Sequence, residues 1–282
     1  MSDEKLTERI AALVAMSSAD GRLDTLTRLT CGRALSLHPL PMEMDWGDGA
    51  SERESVVAAF TEQFAVDVSG IGGNQRKQLL SALGDNVFRT VVMIFIADFV
   101  PRVWAGLGAL GLGKPGDGSA VEWDHEADPV DALLNGFVPA VARLRALDPV
   151  TTEVVRLRGA AQHNCRQCKS RRETNALDAG GTEDLYGQIE QFESADGLTD
   201  AHKAALRYVD ALIWSPSQIS AEVAAGVHEH FSEDQALELT WDVMRNAANK
   251  IMVSLGVDAP RVKEGTELFS VEPDGQTVSL AQ

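Results

Sequence analysis

EVVRLRGAAQHNCRQCKSRR, residues 153–172, holds two of the chain's three cysteines, Cys165 and Cys168, with a carboxylate and an imidazole ahead of them at Glu153 and His163. In a helical segment a three-residue spacing puts both sulfurs on one face of one turn, with Cα atoms about 5 to 6 Å apart, which suits a disulfide. Such a pair opens and closes without moving the rest of the fold. Glu153 lies twelve residues before Cys165, and an unbroken helix would hold the two about 18 Å apart. A direct partnership therefore needs a bend. His163-Asn164 is the place for it, because Asn caps helices well and sits poorly inside them. The expectation is one helix over about 150–162 that carries Glu153, and a second over about 165–179 that starts at the cysteines and ends at Gly180-Gly181. The positive end of the second helix, and the guanidinium of Arg172 one turn beyond Cys168, would both lower a thiol pKa from its free value of about 8.5.

The order Glu153, eleven residues, Cys165-x-x-Cys168 resembles the active-site motif of the alkylhydroperoxidase AhpD and carboxymuconolactone decarboxylase family. The resemblance implies an all-α, AhpD-like helical bundle and a redox-active cysteine pair with no bound cofactor. It also implies reduction of hydroperoxides with electrons from a dithiol such as dihydrolipoamide. It makes Cys168 the attacking thiolate, Cys165 the resolving thiol and Glu153 the base. Two positions depart from the family pattern. Arg172 stands where a histidine follows the second cysteine by four residues, and Gln167 stands inside the CxxC where a histidine is usual. Arginine stabilises a thiolate but does not relay a proton near neutral pH. His163 is then the remaining nearby imidazole, with Arg172 and Gln167 in supporting roles, and a slow peroxidase is expected. Relatives of this fold associate through helical faces, which implies a homo-oligomer.

Composition narrows the alternatives. With 42 acidic against 25 basic residues the formal net charge is −17, which repels nucleic acid and anionic membrane. Three cysteines are too few for a secreted disulfide scaffold, and the polar start MSDEKLTERI is no signal peptide, so a cytoplasmic protein is expected. The most apolar run, VVMIFIADFV at 91–100, is broken by Asp98 and followed by Pro101, and is too short to span a bilayer. Sparse aromatics and abundant alanine favour helix over sheet.

Outward from the motif, residues 3–17 form an amphipathic pattern, and a second helix over about 24–36 contains Cys31. Residues 38–50 must be loop. Ser51-x-x-Glu54 is a capping box opening a helix to about 65, a short helix covers about 74–83, and Asp85 caps a long apolar helix that Pro101 kinks or ends. Residues 113–129 are rich in glycine, proline and acid and form a linker. A helix over 130–146, bent at Pro139, begins the second half. Thr182 and Thr199 cap the helices after the motif, Ser232-x-x-Gln235 is another capping box, and Gly256 stops the last helix. The tail, 259–282, is polar and drapes the surface. The stretch from Phe60 parallels that from Arg207: helix, loop ending in isoleucine, short helix, acidic cap, long helix. A tandem follows, with residues 1–112 a degenerate unit without CxxC and residues 130–258 the unit that carries it.

Each signal also has a plainer meaning. A lone CxxC is half a zinc site, but four ligands are normal for structural zinc and Cys31 is far away, so no metal is expected. The cysteines could be two buried structural thiols, although the charged neighbours Arg166, Lys169, Arg171 and Arg172 argue against a sealed turn. His228 and His230 suit an exposed helix, Cys31 a core position, and Asn246 and Asn249 a polar lining of the cysteine pocket. Besides a peroxidase or disulfide reductase, the chain fits a carboxymuconolactone decarboxylase-like acid–base enzyme or a non-catalytic helical assembly module.

Overall fold

A computed structural model describes residues 3–47, 49–113 and 121–280. The fold is all-α, with one small sheet. Helix α1 (Asp3–Ala15) buries Leu6, Ile10, Leu13 and Val14 along one stripe. Helix α2 (Gly21–Leu35) is capped by Asp20, whose carboxylate accepts the Leu23 N–H at 3.1 Å. Ser51 and Glu54 form the expected capping box, at 3.2 and 2.7 Å, and open α3 (Glu52–Val66). A 3-10 turn at Val68–Gly70 and α4 (Gly73–Leu83) lead into α5 (Val87–Ala109).

Helix α5 neither ends nor breaks at Pro101. A proline removes one helical hydrogen bond, but burial on nearly every side of α5 outweighs that loss: Val91 to Val103 are all buried. This run is longer than the 91–100 stretch suggests. Together with the turn and helix before it, it is long and apolar enough to cross a membrane by length and composition, and most of it is buried inside the fold.

Past 121, the expected helix over 130–146 is a π-helical stretch at Asp131–Phe137 followed by α6 (Val138–Val141), with Pro139 in its first turn. The wider turn precedes the residue that cannot donate, where an α-helical bond would be missing. The expected linker lies partly outside the described residues, at 114–120. Its described part packs on the N-terminal helices: the Ser17 N–H reaches the Asp124 carbonyl at 3.0 Å, the Asp124 N–H reaches that of Ala15 at 2.9 Å, and Arg28 stacks on Trp123.

Helix α7 (Pro149–Gln162) starts at Asp148, which accepts the Val150 and Thr151 N–H groups at 3.0 Å. The single helix expected over 165–179 does not form. Its place is taken by one turn, α8 (Arg166–Lys169), a strand β1 (Arg171–Glu173) and α9 (Thr174–Asp178). After α10 (Glu183–Tyr186) and a 3-10 segment at Ile189–Ser194 come α11 (Asp200–Trp214), α12 (Ala221–His230), α13 (Glu233–Ala247) and α14 (Asn249–Leu255). Thr182, Thr199 and Ser232 cap as their sequence contexts indicate. The tail does more than drape. Strand β2 (Glu267–Val271) pairs in parallel with β1, Arg171 opposite Glu267, and antiparallel with β3 (Thr277–Ser279).

A continuous apolar core runs from Leu6 to Val253 and draws on both halves of the chain. Helix α5 lies within it, against α1, α2, α11 and α13. The segment α3, 3-10 turn, α4, α5 has the same order of elements as α11, 3-10 turn (Pro216–Gln218), α12, α13. The core also encloses charge. The carboxylate of Asp98 on α5 bonds both Arg102 and Lys250 of α14, and Arg102 further donates to the carbonyls of Ala65, Leu212 and Ile213.

Candidate functional site

The bend expected at His163-Asn164 exists, one residue displaced in its role. Asn164 takes the left-handed conformation, φ 51°, and Cys165 becomes the N-cap of α8, its sulfur accepting the Cys168 N–H at 3.2 Å. Asn tolerates this conformation better than most side chains. From outside, Asp258 fixes the loop: its carboxylate accepts the Arg166 N–H and its carbonyl the Gln167 N–H, both at 2.9 Å. Cys165 and Cys168 form a disulfide with Cα atoms 5.3 Å apart. Cys165 is fully buried. Cys168 is half-buried and lines a cavity of about 300 Å³, together with Gln167.

The other residues expected at the site stand behind this cavity or beside it. Glu153 is completely buried and does not line it. Its two carboxylate oxygens take Nε and Nη2 of Arg156, both at 2.6 Å, and one also accepts the Glu173 N–H at 3.3 Å. Arg156 does line the cavity, and its Nη1 donates to the Cys168 carbonyl at 2.9 Å. The acid therefore meets the cysteine turn through a guanidinium, not directly. A pair spaced i,i+3 on α7 explains this: the two side chains share a face, and the arginine is the longer. His163 is buried with its ring edge-on to Phe99 and Nδ1 3.0 Å from Oδ1 of Asn249. Burial, with the nearby charge of Lys250, holds its pKa well below the ordinary range, so the ring is neutral. It does not line the cavity itself but bonds Asn249, which does. Arg172 turns away, pairing with Glu183 at 2.8 Å and stacking on Tyr186. Cys31 is buried far along the chain beside Ile94, its thiol pushed well up by burial and by Asp98.

Several lining residues went unread in the sequence. Arg171 and Arg245 join Arg156, and Phe269 of β2 forms a wall. The guanidinium groups of Arg156 and Arg171 lie over the Phe269 ring, 5.2 and 4.6 Å from its centre. Each arginine has its acid behind it: Glu153 for Arg156, Glu267 for Arg171 at 3.3 Å, Asp242 for Arg245 at 2.9 Å. Asn246 and Asn249 do line the cavity. A smaller cavity of about 40 Å³ shares Arg245 as a wall and gathers Glu173, Glu238 and Asp242. Burial and the neighbouring Asp242 push the Glu238 carboxyl up to about 7, and burial with Glu153 raises Glu173.

No family model and no solved structure matches the chain. It is 57% identical over 272 residues to the uncharacterized proteins Rv2313c and MT2376 of two Mycobacterium tuberculosis strains, covering 95% of this chain and 96% of each relative. The uncharacterized protein YdfG of Bacillus subtilis is 24% identical over 113 residues, 39% of this chain and 77% of that protein.

Proposed function

We propose that this chain, which belongs to the family of the two mycobacterial proteins, is a thiol-dependent oxidoreductase of the AhpD type that reduces hydroperoxides through Cys165 and Cys168. The observation that carries this reading is the asymmetry of the disulfide: one sulfur is sealed in the core and the other opens onto a cavity. That is the arrangement a two-step thiol cycle needs, with an attacking sulfur that meets the substrate and a resolving one that never does.

In the reduced protein the Cys168 thiolate attacks the outer oxygen of a hydroperoxide. A sulfur–oxygen bond forms, the oxygen–oxygen bond breaks, and the alkoxide leaves, taking up the proton that Cys168 gave to solvent. Cys165 then displaces hydroxide from the sulfenic acid and forms the disulfide, its own proton completing a water molecule. Two thiols thus supply the two electrons that turn the hydroperoxide into alcohol and water. A dithiol such as dihydrolipoamide attacks the Cys168 sulfur, opens the bond and leaves as its own disulfide.

Arg156 supplies the positive charge at the cysteine turn, and Glu153 holds it there. Glu153 is accordingly a positioning residue, and His163, kept neutral, orients Asn249. The repeated order of elements supports a tandem of related units in which the first, without a cysteine pair, contributes α5 to the common core. The test is a single turnover. One equivalent of cumene hydroperoxide mixed with reduced protein should be consumed, with loss of two thiols, and dihydrolipoamide should restore both. Unconsumed peroxide with thiols that still exchange with small disulfides would restrict the activity to thiol–disulfide exchange.

A further inference from the structure

We propose that the cavity beside Cys168 binds an organic anion with an apolar body, its charged group held at Arg171 and Arg245. This deepens the redox reading, and rests on it for the claim that the bound molecule is a substrate. The chain carries a formal net charge of −17, yet the ionic side chains lining this cavity are three arginines, with no Asp or Glu among the lining residues. Their carboxylate partners stand behind the wall, so positive groups face inward.

The three arginines are not equally committed. Arg156 spends Nε, Nη1 and Nη2 on Glu153, the Cys168 carbonyl and the Arg171 carbonyl. Arg171 gives Nη2 to Ser279 at 3.0 Å and pairs Nε with Glu267. Arg245 pairs its Nε with Asp242 at 2.9 Å. A guanidinium has five N–H donors in a fixed fork that matches a carboxylate or phosphate, so both Arg171 and Arg245 keep donors to offer. Next to Arg245, the amide nitrogen of Asn246 is buried without a hydrogen-bond partner, although the residue lines the cavity. A buried donor left unpaired is costly, and a ligand acceptor would satisfy it. Most of the remaining lining is apolar, with Phe88, Leu134, Ile251, Met252, Phe269 and Val271, beside the polar Gln167, Asn249 and Thr277. Stacking on Phe269 keeps Arg171 in place before any ligand arrives. Apolar walls with a few convergent polar groups are the usual make-up of a small-molecule site.

The probe pair is octanoate and octanamide, which have the same size and shape and differ in charge. Calorimetric titration of the full oxidised chain needs no turnover, so inert thiols would leave the result interpretable. Octanoate should bind at least about ten-fold more tightly than octanamide. It should also slow reduction of the Cys165–Cys168 disulfide by dithiothreitol, because it fills the cavity that Cys168 lines. Arg171→Gln, whose side chain is partly exposed, should bring the two affinities within about two-fold of each other. Asn246→Asp, which adds a carboxylate to the wall, should weaken octanoate while sparing octanamide. Equal affinities in the unaltered protein, no octanoate binding by a folded protein, binding that leaves disulfide reduction unchanged, or a preference that survives Arg171→Gln would each overturn the proposal.

Discussion

Cys168→Ser is expected to lower hydroperoxide consumption by at least about 1,000-fold, since removing a nucleophile removes the step it performs and not a fraction of it. Cys165→Ser should behave differently. Its Cys168 still meets the cavity, so the first half of the cycle survives and halts at the sulfenic acid. Dimedone should then add to Cys168 and appear as a mass increase on the peptide that contains it, only after peroxide treatment. The two variants also separate the competing accounts. Turnover of some substrate that survives Cys168→Ser would point to acid–base chemistry of the decarboxylase kind. No reaction of either thiol with peroxide, in a protein that folds and assembles normally, would leave the helical assembly module.

The largest effect on stability should come from Asp98→Asn. Asp98, Arg102 and Lys250 are all buried, and the one carboxylate serves both cations. Removing the acid from such a cluster strands charge in the core and should cost about 3 to 5 kcal/mol. Lys250 sets the pH dependence. Burial depresses its pKa from 10.5 to about 8, so between those values the unfolded chain binds the extra proton and stability rises with pH. Without Asp98 the depression deepens, because the group that favours the charged form is gone. The loss in Asp98→Asn should therefore shrink as pH rises to about 8, where Lys250 of the unaltered protein gives up its own proton, and level off above it, as measured by urea unfolding from neutral pH to about pH 10. A variant as stable as the original protein at pH 7 would show that the cluster is hydrated and not dry.

Local signals in the sequence placed most of the helices. Ser51 with Glu54, Thr199 and Ser232 with Gln235 announce helix starts by side chains that satisfy free N–H groups, and the observed starts follow them. The sheet was not legible. Arg171-Arg172-Glu173 has no strand-like alternation of apolar and polar residues, and it is extended because Glu267–Val271 arrives from the far end of the chain to pair with it. Pro101 misled in the opposite direction, since the rule about proline describes an exposed helix better than one wrapped in apolar side chains.

At the site, spacing identified the cysteines, and Cys168 and Gln167 do share the cavity. Spacing could not show which way long side chains point. Glu153 and Arg156 were three residues apart on one predicted helix, which was enough to foresee an ion pair between them. The arginine's place between the acid and the cysteine turn depends on β1 and Phe269, which only the folded chain brings there.

The most direct test equilibrates the folded protein in a series of dithiothreitol redox buffers, traps free thiols by alkylation and weighs the products. A reversible, two-electron transition confined to Cys165 and Cys168, changing tenfold in the reduced-to-oxidised ratio for about every 30 mV, is the predicted result. If neither cysteine changes state at any potential while the protein stays folded, and both label readily once it is unfolded, the pair is structural and the redox account is wrong.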